Sequence, residues 1–140
     1  MFSKEPPSCS PLFIFIGDES FRVREAEEAA VSEAFGGENP GFNLSRFAAD
    51  GADGALDQAR TQPMLARRKV VVIREMEKAS VALLDALLEY AERPNPSTVL
   101  VLCGAKLPGA VGGVDRGRRL FNRIKADGVC LLYTSPSPRD

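Results

Sequence analysis

Four consecutive β-branched residues, Val70 to Ile73, constrain the fold of this chain more than any other feature. A run of this kind without polar alternation is typical of a strand buried on both faces, as in a parallel sheet covered by helices. Leu12 to Ile16 and Thr98 to Cys103 have the same apolar character. We therefore expect three buried parallel strands, with Val70 to Ile73 near the centre of the sheet.

The segments between these strands have the periodicity of helices. The first predicted helix begins at a cap provided by Asp18 or Ser20 and ends at the glycine pair 36–37. Two later helices are expected to begin after caps at Ser80 and Asp115. The predicted buried stripe of the first helix, with spacings of three and four residues, consists of Val23, Ala26, Ala30 and Ala34.

Two further strands complete the predicted order. Phe42 to Phe47 alternates apolar and polar residues, which indicates a strand near a sheet edge, and Gly128-Val129 begins a fifth strand. Strands that alternate with helices of about ten residues indicate an α/β fold, built from right-handed βαβ units with helices on both faces of a parallel sheet. A length of 140 residues with 44% apolar content predicts one domain.

The two ends of the chain differ from its middle. Residues 1–11 contain three prolines among polar residues and are expected to form a disordered leader. Residues 130–140 end in a Ser/Pro-rich segment that is similar to translated adaptor or vector sequence, so we interpret them as a non-native or disordered tail. A natural Ser/Pro tail is the alternative interpretation. The predicted α/β domain spans residues 12–129.

Several classes of chemistry are disfavoured by composition. The chain has no histidine, which excludes serine and cysteine catalysis that depends on a histidine base. Its three cysteines, Cys9, Cys103 and Cys130, are widely spaced and form no zinc motif. We therefore expect no metal and no cofactor. The longest N-terminal apolar run, five residues from Leu12, is too short for a signal sequence, so a cytoplasmic location is predicted.

The turn after the first strand is the position where many nucleotide-binding α/β domains hold phosphate. Residues 17–24 lack the second glycine and the Lys-Ser/Thr pair of that motif, and Asp18 and Glu19 would repel phosphate. ATP binding is therefore not expected. The two carboxylates could instead hold magnesium for a phosphoacceptor, but Arg74 and Glu75, rather than an aspartate, follow the central strand.

Positive charge is concentrated in the second half of the chain, where residues 61–140 contain 13 basic and 8 acidic side chains. Five cations fall on the last predicted helix, which could therefore contact DNA phosphates. A solvated helix face is the alternative, because no aromatic residue accompanies these cations to stack on a base. The five residues are Arg116, Arg118, Arg119, Arg123 and Lys125.

Three segments together resemble one protein family. They are LFIFIGDESFRVREA from residue 12, RFAADGADGALDQARTQPMLARRKVVVIRE from residue 46, and LLEYAERPNPSTVLVLCGAKLPG from residue 87. In their order and spacing they resemble the N-terminal domain of the delta subunit of bacterial DNA polymerase III. The resemblance extends over residues 12–129, and its most specific parts are the G-D-E turn and the segment leading into the Val70 strand.

The resemblance implies a three-layer, AAA+-like domain of the P-loop NTPase class whose phosphate loop has degenerated, so that ATP is not hydrolysed. It also implies that the domain binds the sliding clamp (beta) and helps to open its ring through a hydrophobic pair, here Met64-Leu65. Members of the family often have Leu-Phe at this pair, so Leu65 is a departure. The implied clamp-binding residues are Gln62, Pro63, Met64, Leu65, Arg67 and Arg68.

Members of this family continue into a helical lid domain and a collar domain that joins other clamp-loader subunits within a nucleotidyltransferase holoenzyme of the bacterial cytoplasm. The chain covers well under half of a typical member. Two other hypotheses stay open from the residues alone. One is a nucleotide-binding or phosphoacceptor enzyme, and the other is a βαβ interaction module with an unrelated partner, in which Met64 and Leu65 would belong to the core.

Overall fold

A computed structural model of the protein describes residues 12–36, 43–51, 54–60, 69–95, 98–127 and 129–132. Strands and helices alternate along these residues, as the apolar pattern predicts. The strands are β1 (Leu12–Ile16), β2 (Leu44–Ala48), β3 (Lys69–Arg74), β4 (Thr98–Gly104) and β5 (Val129–Leu132). The helices are α1 (Ser20–Phe35), α2 (Ala55–Arg60), α3 (Val81–Glu92) and α4 (Arg116–Asp127).

The five strands form one parallel sheet in the order β2-β3-β4-β1-β5. Val70 to Ile73 therefore lies near the centre, as predicted, but the central strand is β4, and β3 lies between β4 and β2. A run of β-branched residues indicates that both faces are covered, and this holds for β3 and β4 alike. The predicted edge position of the second strand is confirmed.

Three helices cover one face of the sheet. Ile14, Ile73 and Leu102 point into this side, and α2, α3 and α4 close it with fully buried side chains such as Leu87 and Leu120. Helix α3 also packs against α4. The buried cluster of this face is apolar, so its cohesion comes from the hydrophobic effect and close packing.

Among the described residues, α1 alone covers the opposite face, where Phe15, Val72 and Val101 form the floor. The buried residues of α1 are Val23, Glu27, Ala30 and Val31. The predicted stripe is confirmed: Val23 and Ala30 are buried, and the half-buried Ala26 and Ala34 pack against the same cluster. The burial of Glu27 was not expected, because a glutamate is normally exposed.

The ends of the helices follow local sequence signals with one exception. Ser80 Oγ accepts a hydrogen bond from Leu83 N at 3.1 Å, and Asp115 Oδ1 accepts one from Arg118 N at 3.0 Å, so both predicted caps are confirmed. Helix α1 ends at Gly36 with φ of 60°, a conformation that favours glycine. The exception is the start of α1, where Glu19 is the cap residue and makes no capping hydrogen bond through its side chain.

Two predicted boundaries need correction. Strand β2 begins at Leu44 and ends at Ala48, later than the predicted range 42–47. Strand β5 continues to Leu132 and pairs with β1, so residues 130–132 belong to the sheet and not to a tail. The change of composition that suggested a boundary begins only after this strand. Residues 1–11 and 133–140 lie outside the described residues.

Candidate functional site

The turn after β1 leads directly into α1 without a phosphate-binding loop. Gly17 N donates a hydrogen bond to Gly104 O at 3.0 Å, which joins this turn to the end of β4. Asp18 is exposed, and Glu19 is half-buried and lies 3.7 Å from Arg22. The backbone amides at this helix start are thus accompanied by two carboxylates, which disfavour an approaching phosphate.

A buried ion cluster lies beside this turn, on the face covered by α1. Arg74 donates two hydrogen bonds to Glu27, from Nε to Oε1 at 2.8 Å and from Nη2 to Oε2 at 2.7 Å. Arg46 Nε donates to Glu27 Oε2 at 2.9 Å. The Glu27 side chain is 1% exposed, whereas the Arg46 and Arg74 side chains are 38% and 34% exposed. Both arginines therefore reach from the sheet surface to one enclosed carboxylate.

The electrostatics of the cluster favour the charged forms of Glu27 and Arg74. Burial by itself raises the pKa of the Glu27 carboxyl, but hydrogen bonds from Arg74 and Arg46 outweigh it and hold the pKa below its ordinary value of 4.5. The hydrogen bond to Glu27 raises the pKa of Arg74 in turn. All three groups are charged at neutral pH, so the arginines direct these hydrogen bonds inward and not toward a ligand.

This cluster was not expected from the sequence, in which Arg74 stands out only as an obstacle to phosphoacceptor chemistry. The partners are 19 and 47 residues apart, so no local motif joins them. One signal was available in the sequence. Glu27 lies four residues after Val23 and four before Val31, so it falls on the same side of the helix as these two valines.

A cleft of about 310 Å³ adjoins the cluster at the carboxyl ends of β1, β3 and β4. Cys103 lies in its wall, and burial raises the pKa of this thiol to about 12, so the thiol is a poor nucleophile. Gly104 allows close packing here, because an added Cβ would lie 2.7 Å from Met76 N. The cleft therefore contains an arginine already paired with Glu27, several carboxylates and an inert thiol, a set that favours neither phosphate binding nor a magnesium phosphoacceptor.

The predicted clamp-binding residues all lie outside the described residues, in the gap between α2 and β3. They are Gln62, Pro63, Met64, Leu65, Arg67 and Arg68. The element before the gap is well anchored. Arg60 lies over the Tyr90 ring at 4.9 Å, Asn95 Nδ2 donates to Ala59 O at 3.1 Å, and Asn95 N donates to Tyr90 Oη at 3.1 Å. After the gap, buried Lys69 begins β3.

The five predicted DNA-contacting cations on α4 are in different environments. Arg116 Nε donates to Asp85 Oδ1 at 2.7 Å, which ties α4 to α3, and Arg123 is half-buried. Arg118, Arg119 and Lys125 are exposed. The structure therefore leaves three of the five predicted residues on the surface of the helix.

Within the described part of the chain, no group of three or more His, Cys, Asp or Glu side chains could hold a metal ion. No helix there is long and apolar enough to cross a membrane.

Comparison with protein families gives one match. The model of the family described as DNA polymerase III, delta subunit, matches residues 13–128. This range contains all of β1 except Leu12, and the clamp-binding segment predicted from the sequence. A comparison with curated protein sequences gives no match.

Solved structures share the fold. A DNA clamp loader delta protein from Bacillus subtilis is similar with a TM-score of 0.68 and 21% sequence identity, over 92% of this chain and 40% of the other. A DNA polymerase III gamma subunit-related protein from Thermotoga maritima is similar with a TM-score of 0.64 and 17% identity, over 93% of this chain and 44% of the other. The fold is thus the parallel α/β fold of clamp-loader, AAA+-like domains. The chain spans about two fifths of the length of these proteins.

Proposed function

Since the chain belongs to the DNA polymerase III delta subunit family, we propose that it binds the sliding clamp and helps to open its ring, without hydrolysing ATP. The observation that carries this proposal is the family match, which extends through the segment that precedes β3. Contacts with other clamp-loader subunits would be made by domains that such proteins have beyond the part spanned here.

The proposed clamp contact is the pair Met64-Leu65, with Gln62 and Pro63 before it and Arg67 and Arg68 after it. Two neighbouring large apolar side chains after a proline have the composition of a hot-spot peptide. The anchoring of Ala59 and Arg60 supports this role, because a firmly held helix end reduces the freedom that binding must remove. The two arginines would add attraction to an acidic clamp rim, which salt would weaken.

The test is surface plasmon resonance with immobilised bacterial clamp. We expect the double variant Met64→Ala/Leu65→Ala to bind about a thousandfold more weakly than the wild type, because each of the two lost anchors is worth about 2 kcal/mol. Phe21→Ala is the matched control, since Phe21 is also apolar and is 74% exposed on α1. Its affinity should equal that of the wild type.

Circular dichroism separates the outcomes of this experiment. A double variant that keeps its helical signal and binds as the wild type does would contradict the assignment of the clamp contact. A double variant that unfolds would place the pair in the core and favour the alternative of an unrelated interaction module.

The absence of ATP hydrolysis is supported by the turn after β1. Its carboxylates, and the hydrogen bonds of Arg74 to Glu27, disfavour triphosphate binding there. Titration calorimetry with ATP and Mg²⁺ should give no saturable heat. Saturable binding that Asp18→Ala abolishes would contradict the proposal.

A weaker contact with DNA is proposed for α4, because Arg118, Arg119 and Lys125 are exposed on one helix. Three cations release about three counterions at most, so the logarithm of the association constant should fall by no more than about 3 for a tenfold rise in salt. Fluorescence anisotropy with labelled duplex DNA measures this slope. Charge removal at all three positions should abolish the contact, and unchanged binding by that variant would contradict it.

A further inference from the structure

The cluster of Glu27, Arg46 and Arg74 resembles an anion-binding site in which the bound anion is a side chain of the same protein, the carboxylate of Glu27. Arg74 presents two N–H groups to the two carboxylate oxygens, and Arg46 adds a third donor from the neighbouring strand. Paired N–H donors on a planar guanidinium are the usual means by which proteins hold carboxylates and other oxoanions. Both arginines come from the sheet, whereas the carboxylate comes from α1.

We propose that Arg46 and Arg74 form an oxoanion site that Glu27 occupies from within, and that removing the Glu27 carboxylate opens it to a small external carboxylate. In the native chain the internal carboxylate keeps both arginines from outside anions. This inference does not depend on clamp binding.

The size and charge of the atoms that Glu27→Ala removes indicate which ligand would fit the site. Replacement of glutamate by alanine removes one methylene and the carboxylate group, and acetate has nearly the same size and charge as the lost atoms. The cleft beside Glu27 offers a route inward, since it is lined by Glu27 and Arg74 and opens to solvent. The partial exposure of both arginine side chains keeps their outer ends accessible to an arriving anion.

The charges around the cleft favour a monoanion over phosphate. Arg24 is the other cation in its lining, but Asp18, Glu75 and Glu77 also lie there. Glu77 Oε1 accepts a hydrogen bond from Ala105 N at 3.0 Å and is therefore held at the rim. Because repulsion from these carboxylates grows with ligand charge, acetate should bind more tightly than a phosphate dianion.

The experiment compares the wild type with Glu27→Ala in the full chain. Melting temperatures are measured in sodium acetate, sodium phosphate and sodium chloride at matched ionic strength and pH 7. We expect acetate to raise the melting temperature of Glu27→Ala relative to chloride, by about 4 °C at ten times the dissociation constant, and to leave the wild type unchanged. Phosphate should give a smaller rise.

Two additional variants identify the cause. Glu27→Gln keeps the side-chain volume, so its site stays filled and acetate should have no specific effect. The double variant Glu27→Ala/Arg74→Ala has space but lacks the principal donor, so its response to acetate should be lost. A response that survives the loss of Arg74 would overturn the proposal.

The proposal stays testable if Glu27→Ala does not fold in chloride. Refolding from urea is then followed by circular dichroism in each of the three salts. Recovery of the native signal in acetate, but not in chloride, would support the proposal. Failure to recover in acetate, or an equal melting temperature of a folded variant in acetate and chloride, would overturn it.

Discussion

The two faces of the sheet are stabilised in different ways. On one face, α2, α3 and α4 close a buried cluster of apolar side chains in which Leu87 and Leu100 are 1% exposed. On the other face, within the described residues, α1 packs on valines and phenylalanines but also inserts Glu27 between Arg46 and Arg74. On the first face the ion pair between α4 and α3, Arg116 to Asp85, is exposed, whereas the second face encloses the charged carboxylate of Glu27.

This difference shows how a single helix can be held on a wide sheet. An apolar stripe limits how α1 is rotated, but it allows the helix to slide along the strands because hydrophobic contact is not directional. Hydrogen bonds from two strands to one carboxylate are directional and fix the position of α1. On the three-helix face, α3 and α4 pack against each other and the exposed Arg116–Asp85 pair joins them.

The largest effect on stability is expected on the face of the sheet that α2, α3 and α4 cover. Leu87→Ala should lower the free energy of unfolding by about 3 kcal/mol, because the neighbouring helices cannot collapse fully into the space that is left. Urea denaturation at pH 7 measures this change, and the loss should be the same at pH 4. Val81→Ala on the exposed side of α3 is the matched control and should change stability by less than about 0.5 kcal/mol.

A smaller and pH-dependent effect is expected on the α1 face. Glu27→Gln should lower the free energy of unfolding by about 2 kcal/mol at pH 7, less than for a fully enclosed pair because both arginine side chains can reach water. The folded-state pKa of Glu27 is lowered, so its contribution is present above the ordinary value of 4.5 and is lost as the pH falls below that value.

The difference in the free energy of unfolding between wild type and Glu27→Gln should therefore shrink as the pH falls below 4.5. Urea denaturation of both proteins across this range tests the sign directly, since the other carboxylates titrate in both and cancel in the difference. If the difference in free energy of unfolding between the two proteins stays constant with pH, Glu27 acts through its shape and not through its charge.

The smallest effects concern the starts of the helices. Ser80→Ala should destabilise the protein by about 1 kcal/mol, because Leu83 N loses its hydrogen-bond acceptor. Glu19→Ala should change stability by less than about 0.5 kcal/mol, because the Glu19 side chain makes no capping hydrogen bond. Thermal unfolding measures the loss of stability in both variants. An equal loss would contradict the expectation that the cap of α3 contributes more to stability than the cap of α1.

Much of the fold could be predicted because its signals are local. The apolar runs of β1, β3 and β4 predict strands that are buried on both faces. Ser80 and Asp115 are local capping signals for α3 and α4. The clamp-binding segment could be assigned from its resemblance to a family and from the pair Met64-Leu65, and its role stays a prediction. The DNA contact of the five cations also stays a prediction, and charge counting did not reveal that Arg116 is paired with Asp85.

By itself, the sequence determined the alternation of strands and helices, the ends of most helices and the loss of the phosphate-binding motif at Gly17. These depend on residues that are near one another along the chain. Only the tertiary structure decided that β4 is central and that Glu27 is buried against Arg46 and Arg74. A carboxylate is buried or exposed according to which cations the fold brings to it, and those cations come from strands that become neighbours only when the sheet assembles.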